Sequence, residues 1–592
     1  MDAPPSSELE QVDSRRLTGP NLLWSRPGAV LDVRLFPEGQ PLTPGSARRI
    51  EPAVAAWRVE ARRILDAVGW HNEELAWRQF PDGASLALSA PVDVLYAATE
   101  VNEWAWRAAL RRQNADAPSL GEVGAAAAEL RRTIDAERKP ALLRLRAATL
   151  RRDLRFTSDD DLVSVGSGAG SRTFPTSDLP EPGDVPWHEV HDVPVALVTG
   201  TNGKTTTVRL LAAIARAAGL AAGFSSTEGV QIGEELVERG DYSGPGGARK
   251  VLRDRRVELA VLETARGGML RRGLVTDRAE VGVVTNVAAD HLGELGIADV
   301  TALAEVKLML RRVARVLVLG ADDDALVAAA GRLVPPEVPV VWFGLEPDRG
   351  VVHGARCRGD AALLLEGNEL VRYRGPALDS DGRRVPWGRV VLARSEELPL
   401  ALGGAARHNF ANALAAAAAA AQLGLDDTAI HAALASFGSD PRHNPGRLDR
   451  HDVGGVTVLV DFAHNPHGLD ALLATARALS PRRLLLVLGQ AGDRDDEAIR
   501  DLARTASRYT PDRFVLKALR DYQRGRADGE VESILEQELL RLGAPPDSIV
   551  RVAGEVEALR SALAWAEPGD VVLQLVHSHR EQVLEQLRLW QS

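Results

Sequence analysis

The chain has 592 residues, and at roughly 100–200 residues per domain this length predicts three or four domains. Its 45% hydrophobic and 26% charged residues are typical of a globular protein. The formal net charge of −11 argues against a nucleic-acid-binding protein that depends on phosphate contacts. The single cysteine, Cys357, excludes a disulfide within the chain and a Cys-rich metal site, and it fits a reducing cytoplasm. The polar N-terminus predicts no secretory signal, and no apolar stretch is long enough to predict a membrane span.

Residues 1–155 are predicted to form an α-rich, mixed N-terminal domain. Its last part, residues 121–155, is dense in Ala, Leu, Glu and Arg, which are strong helix formers. Residues 156–190 are rich in Gly, Ser, Pro and Asp and show no sustained periodicity. This composition is typical of a linker.

Residues 191–445 and 446–592 are predicted to be a central and a C-terminal α/β domain. Short apolar runs alternate with helical patterns in both, which predicts parallel sheets with crossover helices and a Rossmann-like fold for the C-terminal domain. Within the central domain, residues 335–400 carry short apolar pieces separated by Gly, Asp and Pro. These pieces predict an insertion of antiparallel hairpins.

A candidate phosphate loop opens the central domain. Its sequence, Gly200-Thr201-Asn202-Gly203-Lys204-Thr205-Thr206, stands between a predicted strand and a predicted helix. Backbone N–H groups and the helix N-terminus of such a loop bind phosphate. Lys204 can reach the β- and γ-phosphates, and Thr205 can place its hydroxyl on Mg²⁺. Because Val198 stands where the general G-x-x-x-x-G-K-[ST] pattern has Gly, an ordinary strand-to-helix turn is the alternative.

The G-T-N-G-K-T variant resembles the phosphate loop of the Mur ligase family, and further motifs follow in that family's order. They are Glu263 at the end of a strand, Thr285-Asn286-Val287-Ala288-Ala289-Asp290-His291, Lys307, His408-Asn409-Phe410-Ala411-Asn412, and Pro445-Gly446-Arg447 followed by Asp461-Phe462-Ala463-His464-Asn465-Pro466. Within the family, segments 244–252, 263–274, 491–500 and 524–530 resemble the Mur-like half of enzymes of the cyanophycin synthetase type, and residues 15–24 are similar to their N-terminal domain. Those enzymes carry an ATP-grasp domain between the two parts, for which residues 156–190 leave too little room.

The resemblance implies a role for each motif. The loop 200–206 would bind ATP, with Asn409 on the adenine, Asp461 on the ribose, and Lys204 and Arg447 on the phosphates. Thr205, Glu263 and His291 would hold Mg²⁺, and Lys307, carbamylated by CO₂, would hold a second Mg²⁺. The residues alone leave purely structural alternatives open. Lys307 could be an exposed lysine on a helix, Asn409 could cap a helix, and His464 could be a histidine that only forms hydrogen bonds within its own turn.

Gly446-Arg447 lies at the junction of the two α/β domains, where the sequence predicts a hinge. Closure would bring Arg447 and Asp461 onto ATP and exclude water from the reaction. Gly492-Asp493-Arg494 follows a predicted strand and, with Arg524 and Arg526, is the candidate site for the incoming amino substrate. A surface ion-pair network is the alternative for these arginines.

The function hypothesis is an ATP-dependent ligase that joins a small-molecule carboxylate to an amino acid through an acyl-phosphate, forming an amide or isopeptide bond. One alternative is a nucleotide-binding scaffold without turnover; loss of Glu263, His291 or Lys307 would favour it, and all three are present. A plain ATPase or kinase is a third hypothesis. The sequence predicts ATP and Mg²⁺ as cofactors, no nucleic-acid or membrane partner, and an exposed helical N-terminal region that is compatible with a homo-oligomer.

Overall fold

The computed structural model describes residues 9–35, 50–358, 361–374, 377–378, 384–385 and 388–591. Residues 1–8 and 36–49, which belong to the predicted N-terminal domain, therefore lie outside the described residues. Among the described residues, no helix combines the length and the apolar character needed to cross a membrane.

The N-terminal domain is an antiparallel sheet packed against helices, and it is thus mixed as predicted. Its four-stranded order is Leu9–Leu17, Gly28–Leu35, Gly83–Ser89 and Leu75–Phe80. The helices are Glu51–Val68, Leu95–Gln113, Leu120–Glu137 and Pro140–Leu150. Trp57 and Trp106 are buried in the core that the sheet and the helices share, and the Trp57 indole N–H donates to Asn102 Oδ1 at 2.9 Å.

The segment predicted as a linker holds a small antiparallel sheet instead. Its strands are Phe156–Ser158, Leu162–Val165 and Arg172–Pro175. Val163 and Val165 share a core with Leu142 and Leu145 of the preceding helix. The interpretation as a linker missed these strands because runs of three or four residues are too short to show an alternating pattern.

The central domain is built on one sheet, which is 11-stranded in the described part of the chain. The strand order is Glu235–Arg239, Gly229–Ile232, Ala222–Ser226, Leu259–Glu263, Val195–Thr199, Ala279–Val284, Ala314–Gly320, Val340–Gly344, Ala362–Glu366, Glu369–Arg374 and Gly388–Arg394. The helices are Lys204–Ala217, Pro245–Arg253, Arg266–Arg272, Val300–Lys307, Asp324–Leu333, Gly350–Arg358, Arg407–Gln422 and Asp427–Ser436. Two large apolar clusters cover the two faces of the sheet, as expected when crossover helices pack on both sides.

The predicted antiparallel insertion is only partly correct. Val340–Gly344 pairs parallel with Ala314–Gly320 and with Ala362–Glu366, and helix Gly350–Arg358 connects Val340–Gly344 to Ala362–Glu366. Glu369–Arg374 pairs antiparallel with Ala362–Glu366 and with Gly388–Arg394, and these strands extend the same sheet at its edge. Ala377–Leu378 and Arg384–Val385 form a separate antiparallel pair. Apolar runs of five residues look alike in parallel and antiparallel strands, so the sequence pattern did not separate the two.

The C-terminal domain is a six-stranded sheet with helices on both faces. Its order is Asp449–Val453, Val456–Asp461, Val571–Leu575, Leu484–Leu488, Arg513–Lys517 and Ile549–Val552. The first pair is antiparallel and the others are parallel, as predicted for a Rossmann-like domain. The helices are Pro466–Ala478, Asp496–Ser507, Glu530–Arg541, Glu555–Trp565 and Arg580–Gln591. The carboxyl end of Val456–Asp461 faces the central domain, and this places the 461–466 motif at the domain boundary.

Candidate active site

The phosphate loop adopts a backbone that two of its glycines require. Gly200 has φ +153° and Gly203 has φ +83°, a region that residues with a side chain rarely adopt. A Cβ added at Gly200 would lie 1.8 Å from Thr285 Oγ1, and one at Gly203 would lie 2.1 Å from Asn412 Oδ1. Both glycines are therefore needed for the loop to approach its neighbours. Phosphate binding by this loop stays a prediction.

The segment that follows strand Ala279–Val284 holds the phosphate loop in place. The backbone N–H of Thr201 donates to the Asn286 carbonyl at 2.9 Å, and the N–H of Asn202 donates to Asn286 Oδ1 at 2.9 Å. Thr285 Oγ1 donates to the Asn202 carbonyl at 2.7 Å. The Thr285-Asn286 motif thus supports the loop from the neighbouring strand.

Thr205 and Glu263 meet beside the phosphate loop. Thr205 Oγ1 donates to Glu263 Oε2 at 2.8 Å and lies 3.2 Å from Thr227 Oγ1. Glu263 ends its strand fully buried, and burial raises the pKa of its carboxyl although Lys204 and Thr205 counteract this. Glu263 Oε1 is buried and, among the described residues, has no hydrogen-bond partner. A cation at this point would satisfy that oxygen, so the pair fits Mg²⁺.

Two lysines of the predicted site differ in their surroundings, and Lys204 is the one that acts on Glu263. Lys204 Nζ donates to the Thr201 carbonyl at 2.9 Å, so its side chain folds over the loop. Lys307 ends helix Val300–Lys307 and is only 3% exposed, which rules out an exposed helix lysine. Burial and the charge of Lys204 lower the pKa of Lys307 well below its ordinary value. A low pKa favours the neutral, nucleophilic amine.

Asp290, His291 and His464 place their ligand atoms within 4.8 Å of one another, and they come from two domains. His464 Nε2 lies 3.4 Å from Asp290 Oδ2, so His464 does more than complete its own turn. Burial raises the pKa of Asp290, but the His464 hydrogen bond and the charges of His464, His291 and Arg494 outweigh it and hold the pKa below its ordinary value. Burial lowers the pKa of His291, which favours the neutral imidazole that ligates metals.

A cavity of about 580 Å³ lies between the central and C-terminal domains, and the phosphate loop, Glu263, Asn409 and Asp461 line it. Asp461 Oδ2 accepts from the Leu448 N–H at 2.7 Å, and burial raises the pKa of its carboxyl. Asn409 donates to the Leu400 carbonyl at 2.9 Å from within helix Arg407–Gln422. The helix-cap alternative for Asn409 is wrong, because the N-cap is Ala406 and no side chain caps it.

The predicted hinge residues lie where the two domains touch. Gly446 has φ +67°, and Arg447 donates to Thr227 Oγ1 at 3.3 Å. Arg447 also lies over the Phe462 ring, 4.5 Å from its centroid. Asn465 Nδ2 donates to Asn202 Oδ1 at 3.1 Å, so the C-terminal domain contacts the phosphate loop directly. The described arrangement is therefore closed at this boundary.

The residues proposed for the amino substrate divide into two groups. Arg494 points into the candidate site and lies 2.8 Å from both ring nitrogens of His291. Arg524 pairs with Asp493 at 3.1 Å, and Arg526 pairs with Glu530 at 2.6 Å and with Asp496 at 2.9 Å. These pairs match the ion-pair alternative for Arg524 and Arg526, whereas the position of Arg494 agrees with a role in the site.

Sequence reasoning missed one prominent residue of the boundary, Glu228. Its carboxylate accepts from Arg580 at 2.5 Å and from Arg209 at 2.7 Å, and it lies 3.5 Å from Arg447 Nε. A glutamate in the turn after a short strand carries no motif that would have marked it. The arginines that meet it are distant in the sequence.

Two domains of a known protein family match most of the chain that follows the N-terminal domain. Residues 198–420 match the Mur ligase middle domain, and residues 446–575 match the Mur ligase, glutamate ligase domain. Cyanophycin synthetase of Crocosphaera subtropica is 38% identical over 384 residues, which are 64% of this chain and 42% of that protein. The chain thus spans less than half the length of this relative. UDP-N-acetylmuramyl-tripeptide synthetase of Deinococcus radiodurans is 30% identical over 404 residues, which are 65% of this chain and 73% of that protein.

Solved structures that match the chain include FolC of E. coli in complex with DHPP and ADP. That match has a TM-score of 0.48 and 20% identity, and it covers 67% of this chain and 89% of the other. The sequence comparisons carry the assignment, because the two matched ranges cover most of both α/β domains in order and a relative that is 30% identical is covered to 73% of its length. The chain belongs to the Mur ligase family.

Proposed function

We propose that the chain is an ATP-dependent ligase that joins a carboxylate to an amine through an acyl-phosphate and releases ADP and phosphate. The observation that carries the proposal is the cavity between the two α/β domains, whose wall combines the phosphate loop with Glu263, Arg447 and Asp461. A site divided between two domains can close around two substrates and a nucleotide. A plain ATPase or kinase does not need a site that is divided between two domains in this way.

The chemistry explains why charge neutralisation matters. A carboxylate is a poor electrophile, so its oxygen first attacks the γ-phosphorus of ATP, and the bond from that phosphorus to ADP breaks. The amine then attacks the acyl carbon, phosphate leaves, and the amine loses a proton. Lys204 and Arg447 are proposed to balance the negative charge of the two anions that must meet. Domain closure would keep water away from the acyl-phosphate.

Nucleotide binding is proposed to involve both domains. Asp461 keeps lone pairs that can accept from ribose hydroxyl groups, although its oxygens also bind backbone N–H groups. Asn409 uses one amide N–H for the Leu400 carbonyl, and its second N–H remains for the adenine. The backbone of loop 200–203 and the N-terminus of helix Lys204–Ala217 would bind the phosphates.

Magnesium is proposed to bind at Thr205 and Glu263, with His291 completing the set. The unpaired, buried Glu263 Oε1 supports this position. When bound there, Mg²⁺ would neutralise charge on the transferred phosphoryl group. The protein's own contribution is to hold the carboxylate and the hydroxyl in place within a buried pocket.

Carbamylation of Lys307 is part of the proposal. The neutral amine attacks CO₂, a nitrogen–carbon bond forms, and one proton leaves to solvent, so the product is a carbamate anion. The buried position and low pKa of Lys307 support this step, because they favour the neutral amine. The anion would then offer oxygen ligands to a second Mg²⁺.

The proposed substrates are an amino acid as the amine and a small peptide or amino acid as the carboxylate. The names of the relatives support this class, since they include cyanophycin synthetases and a tripeptide synthetase. Arg494 is the side chain that we propose for contact with the amino substrate. A nucleotide-binding scaffold without turnover is the alternative.

The test combines the full chain with ATP, Mg²⁺ and a panel of carboxylates and amino acids. Release of ADP and phosphate is followed together with mass spectrometry of the products. We expect ADP release that requires both substrates, and Lys204→Ala should abolish it. ADP release without any acceptor and without a condensed product would refute the ligase. Nucleotide binding without any turnover would favour the scaffold.

We also propose a cytoplasmic location, because ATP is the co-substrate, and a homo-oligomer formed through the N-terminal domain. Leu120, which is 83% exposed, and Leu143, which is 37% exposed, lie on the helices of that domain. Light scattering of the purified chain measures its mass in solution. A monomeric mass at micromolar concentration would reject the oligomer.

A further inference from the structure

The N-terminal domain touches the central domain beside the candidate site, where its donors bind backbone carbonyl oxygens. Arg15 Nε donates to the Leu270 carbonyl at 3.2 Å, and the backbone N–H of Thr18 donates to the Arg272 carbonyl at 2.8 Å. Both carbonyls belong to the last turn of helix Arg266–Arg272, where a helix leaves its carbonyl groups without partners. The N-terminal domain thus completes the C-terminus of this helix.

A second set of contacts holds the loop that follows His291. Arg34 donates to the Gly293 carbonyl at 2.7 Å, and Arg78 donates to the Gly296 carbonyl at 2.8 Å. The Phe80 ring packs against Gly296, where an added Cβ would lie 2.5 Å from the ring. The N-terminal sheet therefore binds this loop through hydrogen bonds to its backbone carbonyl groups.

The loop needs such support because two of its residues with side chains, His291 and Leu295, have an unfavourable backbone. The φ angle is +50° at His291 and at Leu295, +85° at Gly293 and +70° at Gly296. Residues with a side chain rarely adopt positive φ, and such conformations persist only where the surrounding structure holds them. The two arginines of the N-terminal sheet supply charge-assisted hydrogen bonds at this point.

Both contacted segments carry residues that bind His291. Arg266 donates to the His291 carbonyl at 2.5 Å and pairs with Glu294 at 2.5 Å. Glu294 Oε1 in turn lies 2.9 Å from His291 Nδ1. The helix that starts at Arg266 and the loop that contains Glu294 are the two parts that the N-terminal domain holds. Together they orient the imidazole.

We propose that the N-terminal domain is a positioning element of the ligase site, in which Arg34 and Arg78 hold residues 291–297 so that His291 stays beside Asp290 and His464. This inference rests on the proposed function, since it takes His291 as a magnesium ligand. It assigns a role to a domain that lies outside both family matches. Neither arginine is a catalytic residue, because each acts through the loop.

The experiment uses the full chain with the double substitution Arg34→Met and Arg78→Met, which keeps aliphatic bulk and removes the donors. Arg58→Met is the matched control, since Arg58 belongs to the same domain but lies over the Trp77 ring, 4.3 Å from its centroid. Hydrogen exchange is measured on peptides that cover residues 291–297. Binding of ADP is measured as a function of Mg²⁺ concentration.

We expect exchange at residues 291–297 to become about 10-fold faster in the double variant, and the Mg²⁺ midpoint for ADP binding to rise about 10-fold, as follows from losing hydrogen bonds to charged donors. Arg58→Met should change neither. Unchanged exchange at residues 291–297 would overturn the proposal. So would an unchanged Mg²⁺ midpoint in the double variant when His291→Ala shifts it. If His291→Ala leaves the midpoint unchanged, the metal role under the proposed function fails, while the exchange measurement still decides whether the arginines hold the loop.

Discussion

Replacing Glu228 with glutamine is expected to weaken the closed arrangement of the central and C-terminal domains. The Glu228 side chain is 6% exposed and accepts from Arg209 within the central domain and from Arg580 of the C-terminal domain. Arg447 Nε lies 3.5 Å away. Burial raises the pKa of Glu228, but the charges of the three arginines outweigh it and lower the pKa. The carboxylate is therefore ionised where the domains meet.

The magnitude follows from burial. Removing one partner of a buried ion pair costs about 3–5 kcal/mol, because the remaining charge stays buried without compensation. The same boundary offers a matched control in Arg239 and Glu581, whose side chains are each 70% exposed. An exposed pair of this kind contributes about 0–1 kcal/mol. Glu228→Gln should thus shift the closing equilibrium by at least about 100-fold, whereas Glu581→Gln should shift it less than about 5-fold.

Small-angle scattering with a non-hydrolysable ATP analogue measures closure, and kcat/KM for ATP measures its consequence. Because the pKa of Glu228 is lowered in the folded state, its contribution is present above the unfolded pKa of 4.5 and is lost as pH falls through the folded value. The contribution of Glu228 to closure should therefore be the same at pH 6 and pH 8. Equal closure and equal kcat/KM in Glu228→Gln and Glu581→Gln would refute this reasoning.

Other substitutions test the loop, a buried histidine and a buried ion pair. Gly203→Ala should abolish nucleotide binding, measured by calorimetry, because Gly203 has φ +83° and an added Cβ would clash. Gly331→Ala is the control: this glycine lies in a helix with open space around it, so the substitution should add up to about 1 kcal/mol to the free energy of unfolding, measured by thermal unfolding. His408→Leu should make the free energy of unfolding less sensitive to acid. Burial lowers the pKa of His408 to about 4, so between pH 7.5 and pH 5 the unfolded state binds a proton that the native state resists, and the native state loses about 2 kcal/mol of stability. Urea unfolding that shows the same loss in the variant would contradict this. Lys517→Met should destabilise the C-terminal domain by about 3–5 kcal/mol, because it removes the cation that lies 2.5 Å from the buried Glu555 carboxylate. The further substitution Glu555→Gln should restore much of this loss. Thermal unfolding that shows no difference between the single and the double variant would reject this pairing.

Much of the candidate site could be predicted from the sequence, because its parts are local. The phosphate loop is seven consecutive residues between a strand and a helix, and its glycines are required by its own backbone. Glu263 and Asp461 end buried strands, and parallel strands place such ends at one edge of a sheet. The order of these motifs along the chain was therefore enough to predict two α/β domains and several residues that line the cavity between them, among them Lys204, Glu263, Asn409 and Asp461, whereas His291 and Lys307 are not among the lining residues.

Contacts between residues far apart in the sequence were decided only by the tertiary structure. Glu228 meets Arg580 at a separation of 352 residues, and Arg34 meets Gly293 at a separation of 259, so no local pattern records either pair. Strand direction was also decided there: Ala362–Glu366 runs parallel to Val340–Gly344 because helix Gly350–Arg358 returns the chain to the same end of the sheet. Sequence periodicity reports burial of each element, whereas partner and direction depend on how the elements pack.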